Sequence, residues 1–381
     1  MKNVKLNQWG MVAGLMAVSS TVVAQTSTIY GLIDVGVETI QNVATVQVPT
    51  PGAATSSLTR MPTNTNTAPS RFGIRGSEDL GNGLSAVYAV EAGFDPGNGG
   101  LNQGGRLFGR QAFVGLKGAA GTLSLGRQYT MIFWSGLDAD ILGGGIYGTG
   151  SLDAYLPNAR ADNSVVWMGK FSNWSLGANY SLGRDTVTAT PTNPAATNCP
   201  GESADSSACR QYSLMAKYDT ASWGVAMATN SMKGGSAGTF GGLTTSAMTD
   251  TRNVLNGWVK FDKIKVGGGI IARKNDGSAS LPQGSRSNLL HVGASMPITP
   301  QLTLAAQYVD LRYQHDGSYN SRLLALRGTY ALSKRVETYL QVASIRNSEK
   351  ARVSVSGGAP LSSPPSGKSQ QAINAGLRMS F

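Results

Sequence analysis

From Ile29 onward the sequence alternates. Ile29, Gly31, Ile33, Val35 and Val37 put an apolar or small side chain at every second position, with Thr28, Asp34 and Glu38 among those between them. Successive side chains of a strand point to opposite faces, so this is the signature of a two-faced strand. The C-terminus repeats it: Ile373, Ala375, Leu377, Met379 and Phe381 interleave with Asn374, Gly376, Arg378 and Ser380. Between them, Leu84, Ala86, Tyr88 and Val90 oppose Ser85, Ala89 and Glu91; Tyr212, Leu214, Ala216 and Tyr218 oppose Ser213 and Lys217; Leu302, Leu304, Ala306 and Tyr308 oppose Thr303 and Gln307. The polar face is rich in Ser, Thr, Asn, Gln and Gly rather than in charge, which suits a wet interior better than a solvated exterior. Only 14% of the 381 residues are charged and 49 are Gly, against about 25% charged and about 7% Gly in an ordinary soluble domain. Disorder would need low hydrophobicity with high net charge, and collagen a strict Gly period; neither holds. No shift of composition separates two cores, so one large domain is expected.

The N-terminus reads as an export signal. Lys2 and Lys5 precede an apolar stretch from Gly10 to Val18, and Val22-Val23-Ala24 supplies small side chains before Gln25. This arrangement fits cleavage after Ala24, leaving 1–24 as signal and 25–381 as the mature domain. The apolar run is far short of the ~20 residues of a spanning helix. No later segment reaches 18 consecutive apolar residues either. A chain that crosses a bilayer without such helices must close into a barrel, because every backbone N–H and C=O has to be paired away from water.

Connections alternate in length as regularly as side chains alternate in polarity. Short links are read at 80–83, 118–121, 172–173, 219–222, 262–263, 298–301 and 332–334. Between them lie long ones at 39–69, 94–107, 129–162, 182–210, 231–251, 274–287, 313–320 and 347–369, rich in Gly, Ser, Thr, Asn and Pro. About seven short turns and about eight long loops give about sixteen strands, with both termini on the short-turn side. Phe171, Trp174, Tyr218, Trp223, Phe261, Tyr330 and Phe381 fall beside the short turns or at the C-terminus, where amphipathic rings belong at a bilayer interface. The fold expected is therefore all-β: a 16-stranded antiparallel transmembrane β-barrel with short periplasmic turns and long extracellular loops. A secreted β-sandwich is the competing fold, but it would rarely keep long and short connections in strict turn.

Cys199 and Cys209, the two cysteines, share the fourth long loop; in an oxidising compartment they read as a local disulfide. Neither histidine, His291 or His315, lies near them, so no metal site is expected. There is no His-Glu-x-x-His helix and no phosphate loop, so neither an enzyme nor a cofactor is expected. Lys and Arg outnumber Asp and Glu by 32 to 21, but the basic residues are scattered singly, which argues against nucleic acid and leaves an anion path. Gly267 to Gly269 read as a strand that another backbone or side chain approaches closely.

A set of ordered motifs resembles the Gram-negative general diffusion porins. It comprises Gln25 to Val35, Ser70-Arg71-Phe72-Gly73-Ile74-Arg75-Gly76 with Glu78-Asp79-Leu80-Gly81, Phe108-Gly109-Arg110-Gln111-Ala112-Phe113-Val114-Gly115-Leu116, Gly126-Arg127-Gln128, Arg160 before Asn163-Ser164-Val165, and the terminal Phe381. The resemblance implies a homotrimer of outer-membrane barrels, each an aqueous pore narrowed by an inward-folded third long loop, among outer-membrane lipid and lipopolysaccharide. It places Arg71, Arg75, Arg110 and Arg160 at the pore constriction, Arg127 near a subunit contact, and Phe381 as the C-terminal barrel-assembly signal. Alternation supports Arg71 and Arg75, since Phe72 and Ile74 would face lipid; Arg110 rests on the resemblance alone. The facing carboxylates are expected in the third long loop, at Asp138 and Asp140 or at Asp153. Gly31, Ala86 and Asp95 are further candidates for the subunit contact. The implied function is passive diffusion of small hydrophilic or anionic solutes, with anion preference; the alternative is an adhesin or receptor that acts through its loops and uses the barrel as an anchor.

Overall fold

The computed structural model describes residues 26–46, 51–63, 65–185, 199, 201, 204–235, 242–277, 285–357 and 361–381; the expected signal segment lies outside them. Among these residues seventeen strands join in one antiparallel sheet that closes on itself. β1 (Thr26–Ala44) is followed by β2 (Thr55–Arg60), a short strand of the first long loop, and then by β3 (Arg71–Gly81), β4 (Leu84–Gly93), β5 (Gln111–Gly118), β6 (Gly121–Tyr129), β7 (Arg160–Phe171) and β8 (Trp174–Ser181). The wall continues through β9 (Gln211–Asp219), β10 (Trp223–Lys233), β11 (Thr249–Phe261), β12 (Ile264–Asn275), β13 (Arg286–Pro297), β14 (Leu302–Tyr313), β15 (Ser321–Ala331), β16 (Val336–Asn347) and β17 (Gln370–Ser380). With β2 set aside, sixteen strands form the wall, as the alternation of long and short connections predicts.

Closure runs through β1, whose early residues pair with β3 from Thr26↔Ser77 to Leu32↔Arg71 and whose later ones pair with β17 from Leu32↔Ser380 to Ile40↔Ala372. The C-terminal Phe381 completes the seam: it exchanges backbone hydrogen bonds with Gly31 at 3.0 and 3.1 Å. Its ring occupies the space where any side chain at Gly31 would stand.

The period-2 pattern sorts the two faces. Ile29 is 62% exposed on the outside whereas Asp34, on the inside, is 1% exposed. Inward amides bond to one another, as Gln341 does in donating to Asn374 Oδ1 at 2.9 Å and Asn374 in donating to Asn66 Oδ1 at 3.0 Å. Outward aromatic rings collect beside the short turns, with Trp174, Tyr218 and Trp223 in edge and tilted contact at 5.0 and 5.5 Å between centroids. At the β3–β4 turn Asn82 and Gly83 both take left-handed φ, 53° and 76°, the pairing that two-residue hairpins need to match strand twist. Cys199 and Cys209 are joined in a disulfide.

Candidate functional site

The interior is narrowed by a chain that enters from above. Leaving β6 at Tyr129, the third long loop forms a short helix α1 (Met131–Gly136), crosses the lumen, forms a second, α2 (Thr149–Leu152), and returns to β7 at Arg160. It is fastened along its length by wall side chains. The Met131 N–H donates to Ser213 Oγ at 2.9 Å, the Leu142 N–H to Gln307 Oε1 at 2.8 Å, and Tyr147 Oη to Glu38 Oε2 at 3.0 Å. Tyr155 Oη bridges Asn230 Oδ1 at 3.1 Å and the amide of Gln211 at 2.7 Å. Asp153 takes two bonds from Arg252, at 2.7 and 3.1 Å, while Arg252 also holds Asp250, which pairs with Arg273. Burial alone would raise the Asp153 carboxyl, but the Arg252 guanidinium and then Arg273 hold it below its ordinary range.

Glycines make room for this loop. A Cβ at Gly267 would strike the backbone of Ala139, one at Gly293 would come within 3.0 Å of Ile141, and one at Gly177 would meet the Met131 sulfur. The close approach read at Gly267 is thus a third-loop contact. The first long loop also folds inward, which sequence reasoning missed. Asp34 accepts from the Thr67 and Ala68 N–H groups at 2.8 and 2.9 Å, and the Asn66 carbonyl receives the Ile146 N–H at 2.8 Å, so the two loops meet inside the barrel.

Opposite the bulk of the third loop stands a ladder with one residue from each of five successive strands or strand edges: Arg71, Glu91, Arg110, Tyr129 and Arg160. Arg71 Nε lies 3.9 Å from Glu91, and Arg110 Nε 2.5 Å from the same carboxylate. Arg110 and Arg160 then donate to the two lone pairs of Tyr129 Oη at 2.6 and 2.7 Å, and the Arg160 guanidinium sits 4.4 Å over that ring. Phe133 of α1 stacks on the Tyr129 ring, with 3.8 Å between centroids, so the loop itself braces the ladder. Tyr30 donates to Glu91 at 2.9 Å and lies beneath Arg75, whose guanidinium is 5.1 Å from the ring centre. Arg110 Nη1 and Arg160 Nε have no partner among the described residues.

The four arginines expected at the constriction are therefore brought together, though not alike. The Arg71 side chain is 29% exposed and Arg75 is exposed, while Arg110 is 6% exposed and Arg160 is buried. Strand phase would send Arg110 to the lipid face; it escapes because β5 begins one residue later, at Gln111, leaving Arg110 at a bend. Asp138 and Asp140 do not meet these arginines. Asp138 pairs with Lys217 and, at 3.8 Å, with Lys265; Asp140 accepts from Thr149 at 2.6 Å and from Gln307 at 2.7 Å. The reason is path: the loop crosses to β9–β14 before either aspartate is reached. The carboxylate that does meet them is Glu91, legible as an inward residue of β4 but paired with nothing in the motifs.

Arg127 is engaged within its own chain, donating to the Gly109 carbonyl at 2.7 Å and pairing with Asp162, which also holds Arg106. Asp95 closes its own turn by accepting from the Gly97 N–H at 2.8 Å.

Comparison with known proteins agrees with this architecture. A family model described as Gram-negative porin matches residues 12–350. An outer membrane porin protein of Bordetella pertussis is 40% identical over 117 residues, 30% of this chain and 30% of that protein. The major outer membrane protein P.IB of Neisseria meningitidis serogroup B is 37% identical over 110 residues, 28% of this chain and 29% of that one. The chain thus aligns with less than a third of the length of these relatives. Among solved structures, an anion-selective porin from Comamonas acidovorans superposes with a TM-score of 0.69 at 21% identity, covering 94% of this chain and 100% of that one. A trimer form of OmpT from Vibrio cholerae gives 0.61 at 15% identity, with 94% and 100% covered. At these identities the likeness is one of fold.

Proposed function

Since this chain belongs to the Gram-negative porin family, we propose that it is an outer-membrane channel for passive diffusion of small hydrophilic solutes, biased toward anions. The bias rests on one observation, the charge of the ladder among the described residues. Arg71, Arg75, Arg110 and Arg160 face Glu91 alone, an excess of three positive charges. By contrast, Arg252 and Arg273 meet Asp153 and Asp250, and Lys217 and Lys265 meet Asp138 and Asp219. Two unit charges about 4 Å apart interact by about 4 kcal/mol at an effective dielectric near 20 but by about 1 kcal/mol in bulk water. A single uncompensated guanidinium at a narrow waist is therefore enough to favour one sign of ion.

The mechanism is physical. Arg71 and Arg75 present charge to the pore water, while Arg110, Tyr129 and Arg160 form a rigid, positive backing behind them. The third loop narrows the path so that solutes pass close to that wall, which orders water and orients dipoles. Nothing in this requires bond chemistry. Export by a cleaved signal and assembly as a homotrimer, as in the OmpT trimer form, belong to the same reading. The test is reconstitution of the purified chain in planar bilayers: stepwise conductance is expected, and a folded barrel giving no current steps would favour the adhesin reading instead.

A further inference from the structure

The third loop turns an apolar surface away from the wall, where diffusion of water-soluble molecules alone would ask for a polar one. Helix α1 gives Met131, Ile132 and Ser135 to the wall: the Met131 sulfur occupies the space left by Gly177 on β8, and the Ser135 carbonyl accepts from Asn256 Nδ2 on β11 at 3.1 Å. At about 3.6 residues per turn, Phe133, Trp134 and Leu137 are left on the opposite side. Other large side chains of this loop, Leu142, Ile146, Tyr147 and Tyr155, are buried, but Leu137 is 51% exposed and Phe133 and Trp134 are half-buried. A lone exposed Leu would mean little; this one adjoins two aromatic rings and a hollow.

The hollow, about 90 Å³, lies between α1, the returning limb of the loop and the wall, and is lined by Phe133, Leu137, Leu156, Pro157, Ile271 and His291. His291 is 3% exposed; its Nε2 meets Asn256 Oδ1 at 3.2 Å, and its Nδ1 has no partner among the described residues. A cavity of about 150 Å³ holds benzene, so this one takes the edge of a six-membered ring, and Leu137 continues the apolar surface outward. On its other side the same group of side chains joins the arginine ladder. Phe133 lies on Tyr129, and Trp134 stands edge-on to both rings with 5.8 and 5.6 Å between centroids. Tyr129 in turn receives Arg110 and Arg160.

We infer that this is a binding site for aromatic carboxylates passing through the pore: the ring edge enters the hollow against Phe133 and Leu137, and the carboxylate stays in the lumen, drawn by the uncompensated guanidiniums of the ladder. The two halves of such a ligand are served by neighbouring structures, the charge by a field of one sign and the flat apolar body by aromatic and aliphatic side chains. Asp140 also lines the hollow, its two oxygens accepting from Thr149 at 2.6 Å and Gln307 at 2.7 Å. Its charge repels a carboxylate, so the ligand enters ring first, and His291 Nδ1 is left to meet a polar substituent on the ring. The inference names the solute class of the proposed channel and rests on that reading; the experiment separates the two.

Channels of the full chain in planar bilayers are exposed at pH 7 to sodium benzoate, sodium acetate or benzylamine hydrochloride in a constant background of KCl, and the concentration that halves each channel's own current is read. Benzoate is expected to act at about tenfold lower concentration than acetate, the scale of one ring contact with an aromatic and an aliphatic side chain, and benzylamine no better than acetate. Leu137→Ser, a change at an exposed position, should raise the benzoate value about threefold relative to the acetate value. Arg71→Gln should raise both together. Equal values for benzoate and acetate in wild type, or a Leu137→Ser channel with the wild-type ratio, would each overturn the site. Benzylamine acting at the lowest concentration would overturn it too, and give the hollow to a cation held by Asp140. Current steps that persist while these results fail remove the site alone, whereas a wild type without steps removes the channel reading and the site with it.

Discussion

Arg71 and Arg110 belong to one ladder, yet their substitution should be read in different experiments. Arg71 reaches pore water and holds Glu91 only at 3.9 Å, so Arg71→Glu is expected to fold normally and to shift the zero-current potential toward cation preference, with Arg71→Gln shifting it less. Arg110 is buried against the same carboxylate, and removing one partner of a buried pair costs about 3–5 kcal/mol. Arg110→Glu would add a second carboxylate there; it should lower the temperature at which the folded band is lost on electrophoresis before it says anything about selectivity. Gly267 offers a cleaner residue-level probe of the loop. Val at this position must push the Ala139 backbone away from β12, so the single-channel conductance should change, whereas Gly257→Ala, whose Cβ would meet its nearest neighbour, the Gly224 carbonyl, at 3.4 Å, should leave it as it was.

The third loop is an element held by ionic and hydrogen-bonded ties rather than by its own short helices. Arg252→Ala would strip Asp153 of its direct partner and leave Asp250 with Arg273, so noisy, unstable conductance levels are expected from a barrel that still forms. Wild type should resist acid at this tie. The Asp153 carboxyl is depressed below its ordinary value of about 3.9, so its contribution is fully present above that value and is lost only as pH falls through the lower folded one. Conductance levels recorded at pH 7 and pH 5 should therefore coincide, and a loop released near pH 5 would contradict the assignment. What the sequence discloses about these elements follows from the range of the interactions. Strand faces are legible because Ile29 and Asp34 differ by local parity alone, and the Gly267 approach is legible because a glycine inside a strand lacks a local reason. Asp138 and Asp140 mislead because their partners, Lys217 and Gln307, lie 79 and 167 residues away, and the loop's path between them is set by tertiary contacts. Arg110 falls outside the parity rule because it stands just before the strand starts, and the inward turn of the first loop leaves no periodic trace.

At the scale of the whole molecule the wall is one closed sheet whose seam is the Gly31–Phe381 pairing, so Gly31→Val, which must displace that ring, should slow or prevent closure; the yield of heat-modifiable folded protein measures it. Assembly is expected to be trimeric, with an unheated band near three times the chain left after signal removal. Charge inside the barrel is most unequal at the ladder, where four arginines meet Glu91, and the central claim concerns that excess. Reversal potential across a planar bilayer with a tenfold salt gradient, for wild type and Arg71→Glu, tests it most directly. The account predicts an anion-preferring wild type whose preference weakens as total salt rises and the Debye length falls below about 8 Å, and a variant displaced toward cations. A cation-preferring wild type, or a variant with an unchanged reversal potential, would contradict it.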